Sequence, residues 1–89
     1  MNLKFRAAIV QKNVCTCVVV FVKKGILENV ARSRLVSAVC SSQFIGTPIV
    51  LAAQDAAGHF FYYGRKDLIK LLRRLEPGRL SWKTYVFPD

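Results

Sequence analysis

Apolar and polar residues alternate at the start of the chain, where Lys4, Arg6 and Ala8 separate the apolar positions Leu3, Phe5, Ala7 and Ile9. A period of two is typical of a half-buried β-strand. Residues 14–22 are instead rich in β-branched side chains at both parities, which indicates a strand that is covered on both faces or lies centrally in its sheet. The polar residues 11–13 lie between the two segments, and Asn tolerates turn geometry. We therefore predict a β-hairpin.

The same reading predicts a helix and a second hairpin in the middle of the chain. The helix begins at Gly25 and continues to about Ser41. Residues 47–54 form a predicted third strand, and residues 59–63 form a fourth, strongly aromatic strand. The turn between these strands contains Gly58, which supplies the positive φ that a tight reversal requires.

A second helix and a last strand complete the pattern. The helix is predicted over residues 65–75, because Gly64 precedes it and Pro77 with Gly78 follows it. Residues 82–87 alternate well enough to form a final strand. The predicted order is ββαββαβ, which is typical of an α+β domain with its two helices packed on one face of a mainly antiparallel sheet.

Length and composition favour one folded domain over residues 1–89. The chain has 89 residues, of which 53% are hydrophobic, so it differs from a disordered basic tail. The apolar run at residues 14–22 is too short to span a bilayer as a helix, which needs about 20 residues. Because Lys23 and Lys24 close this run and no cleavage site follows it, we predict no linker, no targeting segment and no contact with a membrane.

The second predicted helix separates apolar from basic residues. At about 100° per residue, its apolar side chains share one arc: Leu68, Ile69, Leu71, Leu72 and Leu75. The opposite side carries four cations: Lys66, Lys70, Arg73 and Arg74. A fifth cation, Arg65, lies at the start of the helix. The formal net charge of the chain is +9. Because a row of cations can neutralise phosphates and release counterions, these five residues are candidates for binding nucleic acid or another anionic partner.

Aromatic residues lie close to this helix in sequence, at Phe60, Phe61, Tyr62, Tyr63 and Trp82. Unpaired bases stack on such side chains, which supports the nucleic-acid interpretation. Two ordinary explanations stay open. Solvent-facing helix positions commonly carry Lys and Arg, and aromatic strands commonly belong to the core.

The first predicted helix does not resolve into one apolar and one polar side. Arg34 projects into the middle of its apolar arc, whereas Val36 and Val39 fall on the polar side. Either the helix begins later or ends earlier than drawn, or it has a second buried face. The second explanation makes Arg34, Val36 and Val39 a candidate interface of a homodimer, since two-fold symmetry is the usual form of self-association.

The cysteines and the single histidine offer one possible metal set, made of Cys15, Cys17, Cys40 and His59. Zinc ligands usually come from loops of the C-x₂₋₄-C type, whereas these thiols lie in apolar segments where cysteine acts as a small hydrophobe. We therefore predict no metal and no cofactor. An odd number of thiols is also typical of reduced cysteines in a cytoplasmic protein.

No group of residues in the sequence resembles a catalytic site. The lone His59 has no acidic residue to orient it beside a thiol, and the five acids are explained by helix caps, turns and the terminus. We predict that the protein is not an enzyme and takes no small-molecule substrate. The sequence favours a basic binding domain that contacts nucleic acid, and the alternative is a protein–protein interaction domain or structural subunit.

Overall fold

The computed structural model describes residues 3–12 and 15–87. In chain order, its elements are β1 (Leu3–Lys12), β2 (Cys15–Phe21), α1 (Lys24–Leu27), α2 (Val30–Gln43), β3 (Ile49–Gln54), β4 (Phe60–Tyr63), α3 (Lys66–Leu72), a 3₁₀ turn (Pro77–Arg79) and β5 (Lys83–Phe87). The α+β class and the order ββαββαβ are confirmed, with the first predicted helix divided in two. β1 continues through Gln11 and Lys12, and Asn13 of the predicted turn lies outside the described residues.

The five strands form one mixed sheet in the order β4-β3-β2-β1-β5. β2 and β3 are parallel, whereas the other three pairings are antiparallel. The prediction of a mainly antiparallel sheet is therefore confirmed. A parallel pair requires a crossover connection, which α1 and α2 supply between β2 and β3. β4 and β5 lie at opposite edges of the sheet.

The helices pack on opposite faces of this sheet, so the prediction that they share one face is wrong. On one face, which we call the α2 face, the core joins Cys40 of α2 to alternate strand residues: Val18, Val20, Ile49 and Leu51. On the other, the α3 face, the core joins Leu68 and Leu72 of α3 to the intervening strand residues: Cys17, Val19, Val50 and Ala52. Because β2 and β3 carry apolar side chains on both faces, these side chains are removed from water only if both faces of the sheet are covered.

The predicted helix over residues 25–41 is interrupted at Glu28 and Asn29. Asn29 has an extended backbone, with φ −119° and ψ 110°, and its side chain accepts a hydrogen bond from the Arg32 amide at 3.1 Å. This is the geometry of an N-cap, so α2 starts a new helix there. The inner side of α2 carries Ser33, Val36 and Cys40. Among the described residues, no helix is long and apolar enough to cross a membrane.

α3 is shorter than predicted and ends at Leu72. Gly64 connects it to β4 with a φ of +155°, and a Cβ at this position would lie 3.2 Å from Val50 Cγ2 and 3.3 Å from the Ile49 carbonyl oxygen. A side chain here would be strained at this φ and tighter against β3 than an ordinary contact, so glycine favours this close exit from the sheet. Beyond α3, Leu75, Leu80 and Trp82 pack against the core of the α3 face.

Candidate nucleic-acid interface

The outer side of α3 presents most of the predicted basic residues to solvent. Lys66, Lys70 and Arg73 line a shallow groove of about 550 Å³ together with Asp67 and Ile69. Buried Leu68 and Leu72 hold the opposite side of the helix against the sheet. The amphipathic pattern thus orients the cations outward, as the sequence predicts.

Arg73 and Arg74 lie at the end of α3 rather than on its helical face. Arg73 is the C-cap, and the Arg74 amide donates a 3.1 Å hydrogen bond to the Leu71 carbonyl in the following turn. The predicted helix over residues 65–75 is wrong in this last part. Cations at a helix C-terminus interact favourably with its partial negative charge, so the two arginines are still well placed for the fold. We call Lys66, Lys70, Arg73 and Arg74 the basic surface of α3.

Arg65 differs from the basic surface of α3 because its charge is already paired. Its guanidinium donates to both carboxylate oxygens of Asp67, at 3.2 Å and 2.8 Å. Hydrogen bonding to Arg65 lowers the pKa of Asp67, an effect that its backbone amide partners reinforce. The predicted site residue Arg65 therefore anchors the start of α3 and offers less free charge to a ligand.

The positive charge of the basic surface of α3 is not neutralised by the acids that the structure describes. The four acids that the structure describes each pair with a close neighbour in sequence, in the pairs Glu28–Lys24, Asp55–His59, Asp67–Arg65 and Glu76–Arg79. Within the described part of the chain, none of the four cations of this surface has an acidic oxygen within 4.0 Å. Their charge is thus available to an external anion.

The predicted aromatic set is divided between the two faces of the sheet. Phe60 and Tyr62 contact the core of the α3 face, as does Trp82. Tyr63 packs in the core of the α2 face, and Phe61 lies under Lys24 of α1, whose Nζ is 5.5 Å from the ring centroid. Successive side chains of a strand point to opposite faces, so β4 cannot present all four rings to one ligand.

Phe60 and Trp82 instead meet around Phe21, a residue that the sequence does not single out. The Phe21 ring centroid lies 6.1 Å from that of Phe60 and 6.0 Å from that of Trp82, both edge-to-face. The three rings line a cavity of about 340 Å³ together with three further residues: Arg6, Gln54 and Gly78. We call these six residues the aromatic groove.

Arg6 supplies the cation of the aromatic groove. Its Cζ lies 5.9 Å from the centroid of the Trp82 ring, within the range of a cation–π contact. It is exposed, and it reaches this position because β1 pairs Arg6 with Phe21 on the neighbouring strand. The alternation at the start of the chain places Arg6 on the polar side of β1, but only the strand register shows that Phe21 lies beside it.

The predicted oligomer interface is not assembled as one surface. Val36 and Val39 pack against the core of the α2 face, so they serve the fold of the single chain. Arg34 is exposed on the other side of α2. The helix packs with its Val36 and Val39 side toward the sheet, so the side that was expected to be apolar, which includes Leu35, faces solvent together with Arg34. The exposed apolar residues on and just after α2 are instead Val30, Leu35 and Ile45.

The sheet separates Cys40 from the other two thiols considered as metal ligands, since Cys15 and Cys17 share one face of β2 and Cys15 is exposed. Cys17 lies in the core of the α3 face and Cys40 in that of the α2 face. Burial raises the pKa of Cys17, and it raises the pKa of Cys40 to about 11, so both remain protonated thiols at neutral pH. His59 is held in the β3–β4 turn, with Nδ1 3.2 Å from Asp55. Nowhere in the described ranges do three His, Cys, Asp or Glu residues come together for a metal.

Comparison with known proteins adds no relative from which a function can be carried over. Family models, curated protein sequences and solved structures gave no match to this chain.

Proposed function

We propose that this protein is a non-catalytic cytoplasmic domain that binds nucleic acid through the basic surface of α3. The observation that carries the proposal is the set of outward cations, Lys66, Lys70, Arg73 and Arg74, that no described acid neutralises. Phosphates along a nucleic-acid strand provide the regularly spaced negative charge that such a surface attracts. Arg65, which is bound to Asp67, holds the helix start and contributes less to contact with the ligand.

The test is a salt series of binding to DNA and RNA by the wild-type protein and by a triple variant, Lys70→Ser, Arg73→Ser and Arg74→Ser. Each lost phosphate contact lowers the slope of log K against log salt by about 0.7–0.9, so we expect the triple variant to lose a slope of about 2–3. It should weaken binding to every sequence alike, because phosphate contacts carry no sequence information.

A second triple variant provides the matched control. Lys23→Ser, Arg32→Ser and Arg34→Ser remove the same charge from exposed positions before α1 and on α2. This control should retain most of the affinity and the salt slope. Equal losses in the two variants would show that net charge, and not the basic surface of α3, drives binding. Absence of binding at low salt would overturn the nucleic-acid proposal.

The exposed apolar residues near α2 favour the alternative, a protein–protein interaction domain that forms a homodimer. Val30, Leu35 and Ile45 are 57%, 66% and 87% exposed, although burying large apolar side chains away from water lowers the free energy. If these residues form the contact, light scattering should give twice the monomer mass for the wild-type protein and the monomer mass for Leu35→Glu. A monomeric wild-type protein at high concentration would contradict this second candidate.

A further inference from the structure

Aromatic side chains form a continuous row along the α3 face. The row begins with Arg6 over Trp82 and continues through Phe21 and Phe60. Phe60 is stacked on Tyr62, with ring centroids 6.3 Å apart and an interplanar angle of 26°. The rings therefore extend from Trp82, just before β5, across β2 to β4 at one edge of the sheet. Arg6 of β1 adds a cation at the Trp82 end of this row.

The far end of the row approaches the basic surface of α3. Tyr62 packs against the core that contains Leu68 and Leu72 of α3. In keeping with this position, burial raises the pKa of the Tyr62 hydroxyl and the positive charge of Arg73 partly offsets the increase. Arg73 also lines the groove on the outer side of α3 with Lys66 and Lys70. The aromatic row and the basic surface are thus neighbours on one side of the molecule.

The aromatic groove has the size and lining of a site for a flat, uncharged ring beside an anion. Its volume of about 340 Å³ falls within the range of ligand pockets, about 300–1,000 Å³. Phe21, Phe60 and Trp82 are all partly exposed, so ring surface is accessible. Among the described residues, the lining includes the cation Arg6 and the amide Gln54 but no acid.

Unpaired nucleobases match this chemistry better than a duplex does. Every base has a π-face that can stack on an aromatic side chain, and this stacking tolerates any sequence. In a duplex the bases are stacked on one another and are reached only by flipping, which costs free energy. A single strand offers its bases to the groove while its phosphates remain free for neighbouring cations.

We infer that the aromatic groove stacks unpaired bases of a single-stranded nucleic acid whose backbone continues along the basic surface of α3. This inference rests on the proposed function and names its substrate class. Phe21, Phe60 and Trp82 form the stacking surface, and Arg6 pairs with a phosphate or stacks on a base at one end. Duplex nucleic acid engages only the basic surface of α3.

Trp82 makes the inference directly measurable, because it is the only tryptophan in the chain. A short oligothymidylate should change the fluorescence of Trp82 on binding, whereas a duplex of the same length should bind without that change. A strand of the same length that lacks its bases should bind more weakly than the oligothymidylate and leave the fluorescence unchanged. Unchanged fluorescence with bound oligothymidylate, or equal affinity for the strand without bases, would overturn the groove.

Phe60→Leu and Phe61→Leu provide a matched pair on the two faces of β4. Phe60→Leu keeps an apolar side chain but removes the ring, so affinity for oligothymidylate should fall by about five- to a hundred-fold. Phe61→Leu should leave it unchanged, since Phe61 lies away from the groove. Equal affinities of the two variants would contradict the inference, provided that both melt as cooperatively as the wild-type protein.

The two proposals fail in different ways. If the groove is wrong but the basic surface of α3 binds phosphates, single strands and duplexes bind alike and the triple serine variant weakens both. If the basic surface is wrong but the groove is right, the triple serine variant retains oligothymidylate binding and the fluorescence change, while Phe60→Leu loses both.

Discussion

Ser33 is fully buried on the side of α2 that faces the sheet, yet its hydroxyl is satisfied. Its Oγ donates a 2.8 Å hydrogen bond to the carbonyl oxygen of Ile26 in α1. A buried hydroxyl without a partner costs free energy, so this bond ties the two helices at the point where they separate. Ser33 thereby fixes how α1 folds back on α2.

We expect Ser33→Ala to lower the free energy of unfolding by about 1 kcal/mol, because it removes one buried hydrogen bond. The Ile26 carbonyl also accepts from the Asn29 amide at 3.2 Å, which limits the loss. Urea denaturation measures the effect. Ser42→Ala is the control, since the hydroxyl of exposed Ser42 donates to the Val39 carbonyl within its own helix. Its change should stay within about 0.5 kcal/mol. Equal changes in both variants would contradict a special role for Ser33.

At the level of residues, the sequence predicts which cations face solvent better than it predicts which side chains lie next to one another in the fold. Lys66 and Lys70 are recognisable because helical periodicity alone separates them from the leucines, whereas Arg73 and Arg74 lie past the last helical residue, Leu72. Arg6 and Phe21 are not recognisable, since their meeting depends on the pairing of β1 with β2. That register follows from the turn and the packing of both faces, which a pattern within one strand does not report.

At the level of elements, Gly64 determines how closely β4 and α3 follow β3. Its positive φ, and the 3.2 Å that would separate an added Cβ from Val50 Cγ2, leave little room for any side chain. Gly58 has a positive φ as well, but a Cβ there meets only the flexible amide of Gln54, at 3.6 Å. The connection to α3 is therefore the more constrained of the two.

Gly64→Ala should lower the free energy of unfolding by about 1–3 kcal/mol, because Ala is strained at this φ and meets the backbone of β3. Gly25→Ala is the matched control: Gly25 lies in α1, and an added Cβ meets nothing within 4 Å. It should be neutral or stabilise by up to about 1 kcal/mol. Thermal melts of the two variants compare them directly, and a Gly64→Ala protein as stable as the wild type would disprove the constraint.

The type and order of the elements could be predicted because alternation, glycine and proline act locally. The division of the first helix was not predicted, although Asn is a favoured N-cap residue and a weak helix former. Only the structure shows that the Asn29 side chain accepts from the Arg32 amide. The side of the sheet on which each helix packs was not predicted either. The apolar residues on both faces of β2 already required cover on both sides, and the prediction of one shared face did not use that requirement.

At the level of the whole molecule, charge and fold act against each other. The formal net charge of +9 lies on a single small domain, and the described acids compensate only their own close neighbours. Self-repulsion of such a charge destabilises the compact state. The same charge attracts an anionic ligand, so salt should affect stability and binding in opposite directions.

We expect the Tm of the free protein to rise by several degrees between about 0.01 M and 0.15 M NaCl, because the Debye length falls from about 30 Å to about 8 Å. Affinity for nucleic acid should fall over the same range. The triple serine variant of the basic surface, which has three fewer positive charges, should gain less in Tm. Calorimetry over a salt series measures this, and a Tm that is flat or falls with salt would show that repulsion does not limit stability.

The pairing of β1 with β5 also determines the order in which the sheet can be built. Leu3 pairs with Phe87, so this contact joins positions near the two ends of the described chain. The other three strand pairings form within residues 6–63 and close shorter loops. Pairing two segments that are far apart in sequence costs more loop-closure entropy than pairing close ones. We therefore expect β5 to dock last during folding. Until then the outer hydrogen-bonding edge of β1 stays open to strands of other chains, and this is the interval in which the protein is most prone to aggregate.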